Sequence, residues 1–182
     1  PGREDRGWGL RADGGAVSVV RVVAARSRSV DGGPGIELKV LGGGLPANRV
    51  AICNGLLWAP IGLGTDGMVN ALAFDSLGRL YAGGAFLNAG GLPAANLARW
   101  NGVAWTSLAL TGMGDAVYAL AFDGSDQLYA GGAFQTAGGV AMKYVARWDG
   151  LAWHALGTGM DSSILAMAMA PDGTLYVGGA FG

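Results

Sequence analysis

The stretch LYAGGAF at Leu80 to Phe86 recurs as LYAGGAF at Leu128 to Phe134 and as LYVGGAF at Leu175 to Phe181. A chain that repeats at a fixed interval builds its core by stacking like units, since one unit cannot bury its apolar faces alone. The interval of about 48 residues suits a unit of four strands and exceeds the spacing of leucine-rich, ankyrin or tetratricopeptide arrays. The 35 glycines of this 182-residue chain fit an architecture dense in turns and close backbone contacts.

Val69 to Leu108 aligns with Val117 to Leu156 without a gap, sharing V-x-A-L-A-F-D, LYAGGAF, AGG and ARW-x-G-x-AW. Asn70, Leu72 and Phe74 alternate with Ala71 and Ala73, as Tyr118, Leu120 and Phe122 do with Ala119 and Ala121, which is the period of a strand and not of a helix. Leu165, Met167 and Met169 continue the scheme. This block is read as strand A and LYAGGAF as strand B, joined by turns at Asp75 to Arg79, Asp123 to Gln127 and Pro171 to Thr174. Asp75, Asp123 and Asp172 are expected to share one turn position. Leu97 to Asn101 and Val145 to Asp149 form strand C, and Trp105 and Trp153 lie on strand D after turns at Gly102 and Gly150. The fold class expected is all-β, a β-propeller fragment built from four-stranded antiparallel blades.

Glycine inside a strand weakens it, so the pairs Gly83-Gly84, Gly131-Gly132 and Gly178-Gly179 imply close backbone approach or a bulge. The alanine face of strand A fits a crowded innermost position. Trp100 and Trp148 are expected between neighbouring units, where truncation costs about 3–5 kcal/mol.

A strand ending in a diglycine, then Trp148-Asp149-Gly150, then Trp153, resembles the kelch repeat. The longer run GGAF-x-x-AGG followed by ARW-[ND]-G-x-AW and a Gly-Met turn is similar to repeats of bacterial secreted or surface propellers and of fungal cortical polarity markers. The likeness spans about Leu45 to Phe181. It implies a propeller, an extracellular or cell-surface location and a protein or glycan ligand. The kelch tyrosine is replaced by Trp100 and Trp148, and Cys53 takes the tryptophan's place in an earlier unit. Copper oxidases with kelch-like propellers need several histidines, whereas His154 is the single histidine here. No catalytic residue and no cofactor is carried over.

The first fifty residues hold eight of the twelve basic side chains and fit the repeat poorly until Leu45, where LPANRVAICNGLLW parallels LPAANLARWNGVAW. Residues 1–44 are read as a divergent part, with Trp8 a remnant strand D and Val17 to Ala24 and Ile36 to Leu41 as poor A and B strands. A basic tail and a reading-frame artefact are the alternatives. Residues 45–68 then supply strands C and D of a first blade, 69–116 and 117–163 are full blades, and 164–182 carry only A and B. Further blades or self-association would be needed to close a ring.

Net charge of −1 with 14% charged residues gives no general attraction for nucleic acid. The apolar stretch Ile164 to Ala170 is far short of the roughly 18 residues of a spanning helix, so membrane insertion is not expected. Asp123-Gly124-Ser125-Asp126 lacks the alternating carboxylates of a calcium loop and reads as a hairpin turn. His154 with Asp149 or Asp161 is the one acid–base pairing on offer, and an ordinary strand histidine is the simpler reading because Thr106 stands at the aligned position. Arg99 and Arg147 suit stacking on a neighbour's aromatics, or a binding surface. Cys53 is read as a small buried residue.

Binding residues gather on loops over rigid sheets, so residues that differ between aligned units carry more functional information than those that repeat. The B–C and D–A connections provide Asn88, Asn96, Asp115, Gln135, Lys143 and Asp161 as candidates. The function expected is a non-enzymatic interaction or scaffold module. A propeller enzyme, lyase or hydrolase, with its active site in other blades is the alternative, as is an architectural repeat of a long adhesin.

Overall fold

A computed structural model describes residues 48–53, 58–108 and 111–182. Among them there are strands and turns and no helix. The strands are β1 (Ala51–Cys53), β2 (Trp58–Pro60), β3 (Met68–Phe74), β4 (Leu80–Ala85), β5 (Asn88–Ala89), β6 (Leu92–Pro93), β7 (Leu97–Trp100) and β8 (Trp105–Ser107). They continue as β9 (Val117–Phe122), β10 (Leu128–Gly132), β11 (Thr136–Ala137), β12 (Val140–Ala141), β13 (Val145–Trp148), β14 (Trp153–Ala155), β15 (Ile164–Met169) and β16 (Leu175–Gly179). The region 1–44, with its remnant strands, lies outside the described residues, and so does the side chain of Cys53.

Two antiparallel sheets are complete four-stranded meanders, β3-β4-β7-β8 and β9-β10-β13-β14. β1-β2 and β15-β16 are two-stranded. Corresponding pairs keep one register: Trp100 faces Trp105, Trp148 faces Trp153, and Cys53 faces Trp58. The B–C connection, expected as a loop, folds into a small hairpin of its own, β5-β6 and β11-β12. Its turn is the AGG block: Gly90 and Gly91 take φ of 62° and 80°, Gly138 and Gly139 take 60° and 82°. Two successive positive φ values are what a two-residue hairpin turn demands, and glycine supplies them without a Cβ clash.

The cores lie between sheets. Along β4, Leu80 and Ala82 join a cluster with Val50 and Ile61 from the preceding unit, while Tyr81 joins one with Val117 and Leu128 of the following unit. On β7, Ala98 and Trp100 go with the first cluster and Leu97 with the second. Alternate residues of one strand thus serve two cores, because each complete sheet is covered on both faces.

The diglycine does both things glycine does in a strand. A Cβ on Gly83 would stand 2.6 Å from Val117 Cγ1, and one on Gly131 would stand 2.6 Å from Ile164 Cγ2. The first glycine of each pair therefore admits the next unit's first strand. Opposite the pair the register slips, between Val69 and Ala71 and between Gly131 and Gly132, which marks a bulge. Leu120 packs back toward the preceding unit, and Phe122 meets Tyr81 edge-on at 5.0 Å. Asn70 donates from Nδ2 to Val117 O at 3.0 Å, adding a polar tie between the first strands of successive units.

The A–B turns differ from expectation in one respect. Asp75 accepts from the amides of Leu77 and Arg79, from Arg79 Nε at 2.5 Å and from the Tyr81 hydroxyl at 3.2 Å. Asp123 likewise takes Ser125 N, Gln127 N and the Tyr129 hydroxyl. In the third turn this place belongs to Ala170, whose N–H bonds Thr174 O as Asp75 N bonds Arg79 O; Asp172 stands two residues later and accepts from Thr174, through its N–H and its side chain. The Pro-Asp-Gly sequence suggests equivalence, but the hydrogen bonds place the carboxylate elsewhere. Asp126, at φ 59°, links adjacent turns by accepting from Ser76 N and Ser76 Oγ.

The tryptophans divide unequally. Trp105, on the fourth strand, is 2% exposed and donates from Nε1 to Ile61 O at 2.9 Å, across the sheet–sheet junction. Trp100, the residue expected between units, is half-buried and leans on Trp105 at 5.5 Å, toward Gly62. Arg99 and Arg147 stand opposite Tyr81 and Tyr129 in their own sheets. Trp105→Ala is expected to cost about 3–5 kcal/mol, because a fully buried ring and its hydrogen bond are both lost. Trp100→Ala should cost clearly less, and chemical denaturation of the two variants decides the order; an equal or larger loss at Trp100 would contradict it.

Candidate functional site

The D–A and B–C connections meet at one end of the sheets, held by backbone bonds that recur from unit to unit. Gly90 N bonds Gly64 O at 2.7 Å and Gly138 N bonds Gly112 O at 2.8 Å. Thr65 N, Met113 N and Met160 N bond Asn48 O, Ala95 O and Lys143 O in turn. The residue after each of those acceptors has a left-handed backbone: Arg49 at φ 66°, Asn96 at 72° and Tyr144 at 67°. Three different side chains occupy one strained backbone position, so the backbone frame is held by its surroundings and not by residue type.

All six candidate residues fall on this end, and they separate into two kinds. Asn88 is tied to Asp66, which accepts from Leu87 N, from Asn88 N and from Asn88 Nδ2 at 2.6 Å. Asn96 accepts from Phe86 N at 3.1 Å and donates to Met113 O at 3.0 Å, so its amide clips strand B to the next D–A loop. Arg49 Nη1 makes the matching bond to Thr65 O at 2.8 Å. These two asparagines serve the scaffold.

Asp115, Gln135, Lys143 and Asp161 are exposed. Asp115 caps its own turn by accepting from Ala116 N at 2.6 Å, and Gln135 Nε2 reaches the Tyr144 hydroxyl at 3.3 Å. Lys143 and Asp161 come together through the bond from Met160 N to Lys143 O. Asp115 sits beside Gly114, which is bonded to Thr136 O next to Gln135. An open depression of about 280 Å³ lies at the same end, lined by Asp66, Gly67, Ala85, Phe86, Leu87 and Asn96. The alignment could have pointed to Asp66, because Asp161 stands at the equivalent position and Gly114 between them does not conserve the carboxylate.

Burial alone would raise the Asp66 carboxyl, but the donors from Asn88 and Leu87 outweigh it and hold the group below its ordinary value. At the opposite end His154 Nε2 lies 2.6 Å from Asp149 Oδ2. Asp161 is not part of that pair. Thr106 at the aligned position bonds Arg99 O instead. The Asp149 oxygens also accept from Leu151 N and Ala152 N, each at 2.8 Å, which is a turn-capping arrangement that Asn101 repeats with Val103 and Ala104. The histidine is thus added to a carboxylate already occupied by its own turn. Among the described residues no cluster of three or more His, Cys, Asp or Glu side chains could hold a metal ion, and no helix is long and apolar enough to cross a membrane.

No family model matches the chain, and no curated protein matches it either.

The amides of Ala152 and Leu151, with His154, lower the Asp149 pKa to about 2. A carboxyl lowered on folding adds stability above its unfolded value near 3.8, and that contribution disappears as pH falls toward about 2. His154→Ala should shift the Asp149 titration only partway back toward 3.8, since the two amides remain; carboxyl-resolved NMR titration checks it, and a complete return would mean the turn does not hold the carboxylate.

Proposed function

We propose that the chain is part of a kelch-like β-propeller, its sheets being blades, and that it works as a non-enzymatic module binding a protein or glycan through the end that carries the D–A and B–C connections. The observation that carries this reading is a constant backbone frame with changing side chains. Positions 66, 114 and 161 hold Asp, Gly and Asp, positions 88 and 136 hold Asn and Thr, and positions 95 and 143 hold Ala and Lys. The bonds from Gly90 to Gly64 and from Gly138 to Gly112 nevertheless persist. A rigid frame that tolerates such variation on one rim is what a recognition surface requires. The stacking of alanine-faced first strands supports a propeller, since these strands would line the narrow axis. An extracellular or cell-surface location rests on the resemblance to bacterial secreted propellers.

Of the six sequence candidates, Asp115, Gln135, Lys143 and Asp161 are assigned to ligand contact, with Asn88 and Asn96 holding their loops. The test is a glycan array together with an array of secreted and surface proteins, probed first with the wild-type chain. A variant with all four contact residues changed to alanine should keep its melting temperature and lose at least about tenfold in affinity, equal to about 1.4 kcal/mol. Unchanged binding by that variant sinks the site assignment.

A further inference from the structure

The turn from β7 to β8 carries Asn101-Gly102, at the end opposite the D–A and B–C connections. Both residues are exposed, and a Cβ built on Gly102 would meet nothing within 4 Å. Asn101 N bonds Ala104 O at 3.2 Å and closes the turn. Asn101 Oδ1 accepts from Val103 N at 2.9 Å and from Ala104 N at 2.8 Å. A side-chain oxygen bonded to the amide two residues on is folded back over the intervening peptide, as in an Asx turn. Cγ of Asn101 is thereby carried beside the nitrogen of Gly102, where no side chain stands in the way. With φ at 98°, position 102 favours glycine over any residue that has a Cβ.

The same turn recurs one unit later with a carboxylate in place of the amide. Gly150 has φ 100°, and Asp149 Oδ1 accepts from Leu151 N and Ala152 N. The two turns join strand ends of one register, since Trp100 faces Trp105 as Trp148 faces Trp153. The fold thus already holds an aspartate at the place that Asn101 occupies. Asn54-Gly55, at the aligned place of the first unit, lies outside the described residues.

We propose that Asn101 is a self-modification site, converted to aspartate through a cyclic succinimide formed with the Gly102 nitrogen, and that the turn accepts the aspartate. In the first step the Gly102 nitrogen bonds Cγ and gives its proton to solvent, while the Cγ–Nδ2 bond breaks and Nδ2 leaves as ammonia. In the second step water opens the ring. Opening at Cγ restores the main chain with aspartate at position 101; opening at the backbone carbonyl of residue 101 gives isoaspartate, whose main chain runs through Cβ and is longer by one atom. Water is consumed and ammonia released, with no oxidant or reductant. The turn assists the first step in two ways: it holds the reacting atoms together, and it already aims two N–H groups at Oδ1, where charge develops, at separations within the roughly 2.7–3.1 Å of an oxyanion hole. The side chains of Asn70, Asn88 and Asn96 are bonded instead to Val117 O, to Asp66 and to Met113 O, and residues with a Cβ follow them. Asp149, its pKa lowered to about 2, is an anion at neutral pH and resists attack by the Gly150 nitrogen. Aspartate at 101 would accept from Val103 N and Ala104 N as Asp149 does from its own pair, whereas isoaspartate would push β8 out of register and unseat Trp105.

Neither ring closure nor a ligand enters this chemistry, so its test is separate from that of the binding rim. The full wild-type chain is incubated at mildly alkaline pH in water labelled with heavy oxygen, and peptide mapping by mass spectrometry reads label at each asparagine. Folded, the chain should take up label at Asn101 at least about tenfold faster than at Asn70, Asn88 or Asn96. It should also do so faster than at Asn101 of the chain kept unfolded in guanidinium, because unfolding removes both donors. No label should accumulate at Asp149, and Asn101→Asp should keep the wild-type melting temperature. Label at Asn101 that is no faster in the folded chain than in the unfolded one, or no faster than at the other three asparagines, overturns the proposal, as does a melting temperature lowered by Asn101→Asp.

Discussion

The close approach of one unit's first strand to the diglycine of the unit before it governs the rest of the architecture. Val117 and Ile164 sit where a side chain on Gly83 or Gly131 would be. Only because that space is left empty can Phe122 reach Tyr81 and Asn70 reach Val117 O. The bulge opposite the diglycine follows from the same demand, since the strand must bend to bring its glycine face against a neighbour. Packing between sheets and pairing within them are therefore set by the same two residues.

From this junction outward, polar groups finish what apolar contact begins. Trp105 donates across to Ile61 O, Asn96 to Met113 O, and Asp126 accepts from Ser76. The first and last of these join residues of successive units, and the Asn96 bond ties the end of the B–C hairpin to the connection that leads into the next unit. Individually such bonds contribute about 1 kcal/mol, far less than the burial they accompany. Their effect is to fix the angle between sheets. Asn96 shows how closely scaffold and surface are interwoven, because a residue that looks like an exposed loop polar group has both ends of its amide engaged.

Strand order was readable from period-two alternation and from the ungapped alignment, and so was the packing role of the diglycine. The Cys53 to Trp58 pairing was readable too, since only the alignment with Trp100 and Trp105 was needed. Other features depend on contacts between distant residues. The AGG block carries the two-glycine signal of a tight hairpin, yet Asn88-Ala89 and Leu92-Pro93 are too short to show strand periodicity. The deeper burial of Trp105 over Trp100 is set by where its ring packs, against Gly90 of the small hairpin, and Trp153 is buried against Gly138 in the same way without a bond from its Nε1. The displaced carboxylate at Asp172 was legible as well, because the offset that aligns Phe122 with Met169 and Leu128 with Leu175 sets Ala170 against Asp123. At the candidate site, sequence variation gathered six residues that lie at one end of the sheets, but could not separate Asn88 and Asn96, whose partners are Asp66 and Met113, from residues that face outward.

Burial in this molecule belongs to the stack more than to the residue. Tyr81, Tyr129 and Tyr176 occupy one position in three units and are buried, half-buried and exposed in that order. Their local sequences are nearly identical, so the difference lies in how much of the following unit covers each. Loss of one sheet–sheet contact thus exposes apolar surface on two units at once, and stability becomes a sum over junctions with little held by any single sheet. The loop end of such a stack gains from that coupling. The D–A loop of one unit is bonded to the B–C hairpin of the next, so the loops are held by the same junctions that hold the sheets, and their side chains can change while the frame beneath them stays in place.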